Sequence, residues 1–348
     1  RPPERWFSQL DPGAASVTRM DRLALAGIRG GSLLGGRRLP TAEWAPPTSP
    51  DAPLDWARGR LAGGGLADGR SAEGGSVVLR TFASSAVRLA ERARARDLDL
   101  TGLVIFSGGE PLTDARRRYI ESTGARVFPR FVVTEAGLLA AACPHRVTTD
   151  SMHVYVDRLA MIEGDPGDAG DAGRAGEAGG APTPLLLTTL TPDTGKVLFN
   201  TEMGDAGLLT RRGCPCAFGR LGFDLFVSQV SSRERLTLEG MTVPVRAVDA
   251  SIAAVVESLG GSPDAWQRRV VVEESGSARL VVVIHPDLGP LDEAVLLADV
   301  HARLATAGAG LDVAADLWRQ AGTIRVVREA PARSPGAKLP RGVTGARS

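Results

Sequence analysis

Apolar positions in this chain come in short runs whose period changes along the sequence. Leu103-Val104-Ile105-Phe106 is a continuous apolar run and reads as a buried strand. Thr113 or Asp114 can cap a helix that carries Ala115, Tyr119 and Ile120 on one face and stops at Gly124. Residues 125–128 follow as a second strand, completing a βαβ unit. Upstream, residues 77–79 read as a strand and 84–95 as a helix, with Ser84 or Ser85 as its cap and Val87, Leu89 and Ala90 inward. Residues 1–75 hold helix-like stretches at 18–28 and 54–61. Phe7, Leu10, Leu23, Leu25, Ile28, Leu33 and Leu34 there are expected to cover one side of a sheet.

Beyond residue 150 the pattern turns β-rich. Residues 154–156 and 159–162 form a strand or hairpin arm, and 185–190 and 197–199 are β-structure leading to Gly204-Asp205. Between them, the Asp/Gly/Ala repeats of 164–184 cannot bury enough apolar surface to offset ordering and read as a flexible loop. After residue 232 the texture changes again. A hairpin at 236–245, a helix at 250–259, strands at 270–273 and 279–284, a helix at 291–305 and a strand at 323–328 describe a small α+β domain.

Composition removes several function classes. The 348 residues suggest two or three domains. With 41 basic and 40 acidic residues, a net charge of +1 gives no electrostatic case for nucleic acid or an anionic membrane. No apolar run approaches the roughly 20 residues that span a bilayer, and no signal peptide is evident, so a cytoplasmic location is expected. Three cysteines and four histidines do not make a disulfide framework.

Three groups of residues carry candidate chemistry. Ser107-Gly108-Gly109-Glu110-Pro111-Leu112 puts a glycine turn at the C-terminal end of the first βαβ strand, the edge where open α/β sheets hold nucleotides. It is not a dinucleotide fingerprint, because G-x-G-x-x-G is absent and Val127 and Phe128 stand where the ribose acid belongs. Thr134-Glu135, just past the second strand, offers a hydroxyl and a carboxylate of the kind that Mg²⁺ between phosphates requires. Cys143, His153, Cys214 and Cys216 together suit tetrahedral Zn²⁺ with no open position, with His145 as a rival imidazole.

The order and spacing of Gly108-Gly109-Glu110-Pro111 and Phe131-Val132-Val133-Thr134-Glu135 resemble the adenine- and magnesium-binding signatures of the adenylate-forming ligases. Gly204-Asp205, the segment 231–240 and Arg333-Ser334-Pro335-Gly336-Ala337-Lys338 follow in that family's order. The cysteine and histidine pattern is similar to the phenylacetate-CoA ligase-like branch. The resemblance implies an α/β fold in which residues 1–231 are the C-terminal part of a large adenylation domain and 232–348 a small mobile domain.

It implies residue roles as well. Gly108, Gly109, Glu110 and Pro111 would border adenine with Phe131 packed on it, and Thr134 would contact phosphate. Glu135 would bind Mg²⁺, Asp205 the ribose hydroxyls, and Arg233 would serve where the hinge arginine's place holds Ser231. Lys338, one of two lysines in the chain, would stabilise charge on the α-phosphate.

The implied activity joins ATP and a small carboxylic acid as acyl-AMP, then transfers the acyl group to a thiol of CoA or a carrier protein. The family's Ser/Thr/Gly-rich phosphate loop with its lysine has no counterpart between Arg1 and Ala83, so the isolated chain is expected to adenylate poorly. The alternatives are a catalytically inactive relative that binds a ligand or partner, and a nucleotide-dependent oxidoreductase.

Overall fold

The computed structural model describes residues 3–11, 13, 17, 19–62, 76–165, 182–191, 196–232, 235–332 and 342–344. In chain order these form β1 (Trp6–Ser8), α1 (Arg19–Leu34), β2 (Ala42–Trp44), α2 (Asp51–Ala62), β3 (Val77–Phe82), α3 (Ala83–Ala95), β4 (Leu103–Gly108), α4 (Asp114–Glu121) and β5 (Arg126–Val133). Then come β6 (Gly137–Ala141), β7 (Met152–Val154), β8 (Leu159–Glu163), β9 (Thr183–Thr189), β10 (Thr201–Arg211), α5 (Ala217–Arg220), β11 (Leu225–Ser232), β12 (Arg235–Leu238) and β13 (Met241–Pro244). The remainder is α6 (Val245–Ser258), β14 (Trp266–Val272), β15 (Ala278–Ile284), α7 (Glu293–Thr306), α8 (Leu311–Ala321), β16 (Ile324–Arg328) and β17 (Gly342–Thr344). No described helix is long and apolar enough to cross a membrane.

Two compact units emerge. One comprises Gly74–Val87 and Asp99–Met241. Its nine-stranded sheet runs β3-β4-β5-β6-β7-β11-β10-β9-β8. β3, β4 and β5 are parallel, and every later pairing is antiparallel. β5 belongs to both halves, which puts the C-terminal edge of the parallel part beside the β5–β6 turn. The βαβ reading holds in detail. The Thr113 hydroxyl accepts from the Arg116 N–H and caps α4, and Ile120 is fully buried.

Several expectations for this unit change. The strand expected over 154–156 is β7 at Met152–Val154, and residues 197–199 are not a strand. Val197 and Phe199 stand exposed ahead of β10, and Gly204-Asp205 lies within β10 rather than after a strand. Ser84 does not cap α3 but sits inside its first turn. The segment 164–184 joins the antiparallel strands β8 and β9, with the Gly164 N–H donating to the Pro184 carbonyl at 2.7 Å, and residues 166–181 lie outside the described residues.

The other unit comprises Arg1–Glu73, Arg88–Leu98 and Thr242–Ser348. Its four-stranded sheet runs β16-β15-β14-β17, with β15 antiparallel to β14 and parallel to β16. Trp266 and Trp318 are among its fully buried side chains. The expected apolar cover near the N-terminus changes. Leu23, Ile28, Leu33 and Leu34 are exposed on α1 and cover nothing, while Phe7, Leu10 and Leu25 are half-buried.

Candidate functional site

The glycine turn at the end of β4 divides its labour between scaffold and surface. Gly109 and Pro111 are exposed, while the Glu110 side chain is fully buried. Its carboxylate accepts from the Ser84 N–H at 2.9 Å and the Ser84 hydroxyl at 2.8 Å. It also accepts from the Gly240 N–H and pairs with the Arg116 guanidinium at 3.0 Å. Arg116 in turn donates to the Pro111 carbonyl at 2.9 Å. Glu110 therefore caps the first turn of α3 through space, the task that the sequence assigns to Ser84 or Ser85. Only the backbone of this turn is left to meet a ligand.

Thr134 and Glu135 form the turn between β5 and β6, with Thr134 exposed and Glu135 half-buried. Phe131 lies on β5 inside the core cluster with Leu139, Met152 and Val227. Asp205 sits on β10 opposite Ser232, where the β10–β9 register shifts between Glu202 and Ala206. A bulge of this kind re-aims a side chain. Burial pushes the Asp205 carboxyl up, the charge of Arg235 opposes this, and the negative charge of Glu135 adds to it. Glu135 and Arg235 thus each lie within electrostatic reach of Asp205. Arg235 was not singled out by the sequence, because nothing in the spacing reveals which arginine after β11 faces Asp205. Arg233 and Lys338 lie outside the described residues.

The thiols and imidazole do meet. Cys143 Sγ and Cys214 Sγ are 3.7 Å apart, and His153 Nε2 lies 3.3 Å from Cys143 Sγ and 3.2 Å from Cys216 Sγ. All four ligand atoms fall within 4.8 Å of one another. Zn–S bonds near 2.3 Å and Zn–N bonds near 2.05 Å would give tetrahedral edges of about 3.8 Å and about 3.6 Å. The observed spacing is close to both.

Surroundings of the cluster favour a metal as well. His153 Nδ1 donates to the Phe223 carbonyl at 2.7 Å, which leaves the Nε2 lone pair facing the sulfurs. Burial holds His153 below its usual range and so neutral. Burial also pushes the Cys143 thiol up to about 12, so its thiolate needs a cation beside it. Cys214 is pulled down despite its burial cost, by hydrogen bonds with Cys216 and Cys143 and by the charge of Arg212. The Gly219 N–H donates to Cys216 Sγ at 3.4 Å, and a Cβ on Gly219 would stand 1.9 Å from the Cys214 carbonyl oxygen. Only glycine lets α5 close over the Cys-x-Cys turn. His145, the rival imidazole, is exposed and outside the cluster.

No protein-family model and no curated protein matches the sequence. Among solved structures, the amide bond synthetase McbA from Marinactinospora thermotolerans superposes with a TM-score of 0.51 and 16% identity, covering 98% of this chain and 60% of that one. A mutant of the same synthetase gives 0.51 and 16%, covering 97% and 61%. The fold is that of the adenylate-forming ligases. The chain spans about three fifths of the McbA length. MatB from Rhodopseudomonas palustris is a weaker likeness, with a TM-score of 0.38, 15% identity and coverage of 97% of this chain and 59% of that one. Within the adenylate-forming fold, Thr134-Glu135, Gly204-Asp205 and the turn at Gly108–Pro111 all belong to one compact unit.

Proposed function

We propose that this chain carries the nucleotide-binding face of an AMP-forming ligase of the phenylacetate-CoA ligase-like kind. The observation that carries the reading is that Asp205 on β10 and Glu135 in the β5–β6 turn lie in one compact unit and within electrostatic reach of each other. In this reading the exposed backbone at Gly109 and Pro111 borders adenine, and Phe131, expected against the ring, stays buried in the core cluster. Asp205 accepts from the ribose hydroxyls, Thr134 touches phosphate, and Glu135 holds Mg²⁺. The ion's chemistry is charge neutralisation between phosphate oxygens.

A carboxylate oxygen of the acid attacks the α-phosphorus, the bond to the β-phosphate oxygen breaks, and pyrophosphate leaves. The acceptor then attacks the acyl carbon and AMP leaves. Lys338 is assigned to the α-phosphate charge, and Arg233 to the hinge. We assign a thiol of CoA or a carrier protein as acceptor. The likeness to an amide bond synthetase supports an amine as the second reading.

Glu135 gives the first test. Calorimetric titration of the wild-type chain is expected to show ATP binding strengthened about tenfold or more by Mg²⁺, the worth of one charge-assisted contact. Glu135→Gln removes that dependence and leaves AMP affinity unchanged. A variant that keeps its full Mg²⁺ dependence takes Glu135 out of the site.

A further inference from the structure

The parallel strands carry two arginines that the nucleotide reading does not use. Register pairs Arg80 with Phe106, and Phe106 with Phe128, across β3, β4 and β5. Arg130 follows Phe128 by two residues, so alternation directs it to the same face. Its Nη2 lies 3.9 Å from the point a Cβ on Gly108 would occupy, which places the guanidinium beside the glycine turn. The Arg130 Nε is buried and has no hydrogen-bond partner. Among the described residues neither Arg80 nor Arg130 forms an ion pair. Burial and the charge of Arg80 both act to lower the Arg130 guanidinium, while the Tyr155 phenol acts to raise it, so the three groups lie within electrostatic reach. A half-buried guanidinium beside a second one, with an unused donor, is costly unless an anion joins them. The planar fork of arginine matches carboxylate and phosphate oxygens in pairs.

We propose that Arg80 and Arg130 form an oxyanion subsite against Phe106, beside Gly108. Its place in a reaction rests on the ligase reading, where the oxyanion is either a second carboxylate on the acid or a phosphate of the nucleotide. Binding itself does not depend on that reading.

The test is calorimetric titration of the full chain with succinate, its neutral diamide succinamide and inorganic pyrophosphate, each without nucleotide. Wild type is expected to bind succinate or pyrophosphate and not succinamide at equal concentration. Arg80→Met and Arg130→Met should each weaken that binding by about tenfold or more, as the loss of a charge-assisted pair implies. Arg130→Lys keeps the charge and loses the fork, so it should fall between. Preference for succinate assigns the subsite to the acid, and preference for pyrophosphate assigns it to the nucleotide.

Arg80 is exposed, so its variant tests the site without disturbing a core, and unchanged unfolding midpoints verify that it folds. Binding of neither dianion overturns the subsite, as does equal binding by wild type and Arg80→Met. Dianion binding without any ATP binding would keep the subsite and remove the ligase reading, while the reverse pattern would do the opposite.

Discussion

Glu110→Ala is expected to destabilise the sheet unit by about 3–5 kcal/mol, the cost of breaking a buried ion pair by removing one partner. Its carboxylate satisfies two groups of Ser84, the Gly240 amide and Arg116 at once. Alanine removes the Glu110 charge from Arg116, whose side chain is 6% exposed. It also removes the acceptor of the Ser84 N–H in the first turn of α3. Glu110→Gln keeps the shape and one acceptor oxygen, so its loss should be smaller, set by the lost charge pairing with Arg116.

Urea unfolding followed by far-UV circular dichroism measures both variants. Tryptophan fluorescence is the wrong probe, because all five tryptophans lie in the other unit. Hydrogen exchange gives a local reading. The Gly240 amide is expected to be protected in wild type and to exchange with the solvent-exposed set in Glu110→Ala. A stability loss below about 1 kcal/mol, the scale of an ordinary surface change, would show that the carboxylate is not the anchor of this turn.

The second large effect belongs to the cysteine and histidine cluster. The purified chain is expected to hold one zinc ion per molecule by elemental analysis, and chelation is expected to lower its unfolding midpoint. Structural zinc contributes on the order of 10 kcal/mol in small finger peptides. Here a β-sheet already places the ligands, so the loss should be several kcal/mol. Cys216→Ser is the sharper variant, since Cys216 lies 3.2 Å from His153 Nε2 and caps α5. It should abolish zinc retention and loosen α5, while His145→Ala should do neither. Absence of zinc from the native protein, or full occupancy in Cys216→Ser, would overturn the four-ligand zinc assignment.

Local chemistry made much of the site legible in the sequence. The apolar run at Leu103–Phe106, the Thr113 cap and the stop at Gly124 each act over a few residues, and β4, α4 and β5 follow from them. The clustering of Cys143, His153, Cys214 and Cys216 was legible because cysteine and histidine have a narrow chemistry, even though Cys143 and Cys214 are far apart in the chain.

Tertiary partners were not legible. Ser84 looks like a cap from its neighbours, yet Glu110 performs that task from a separate strand end. Arg235 influences Asp205, and the register that aligns Asp205 with Ser232 leaves no trace in spacing. α8 went unrecognised between a helix and a strand, although Gly310 and Gly322, both left-handed, mark its two ends. The exposed apolar residues of α1 misled in the opposite direction, since an apolar stripe alone does not say what covers it.

The most direct test of the nucleotide site is the affinity of the chain for AMP against 2′,3′-dideoxy-AMP, in wild type and in Asp205→Asn. A carboxylate that accepts from ribose hydroxyls should make wild type prefer AMP by about 10- to 100-fold, the worth of hydrogen bonds to a charged group. Asp205→Asn should lower AMP affinity towards that of the dideoxy compound and leave the dideoxy affinity unchanged. Equal affinity of wild type for the two nucleotides, or full discrimination surviving in Asp205→Asn, would contradict the site.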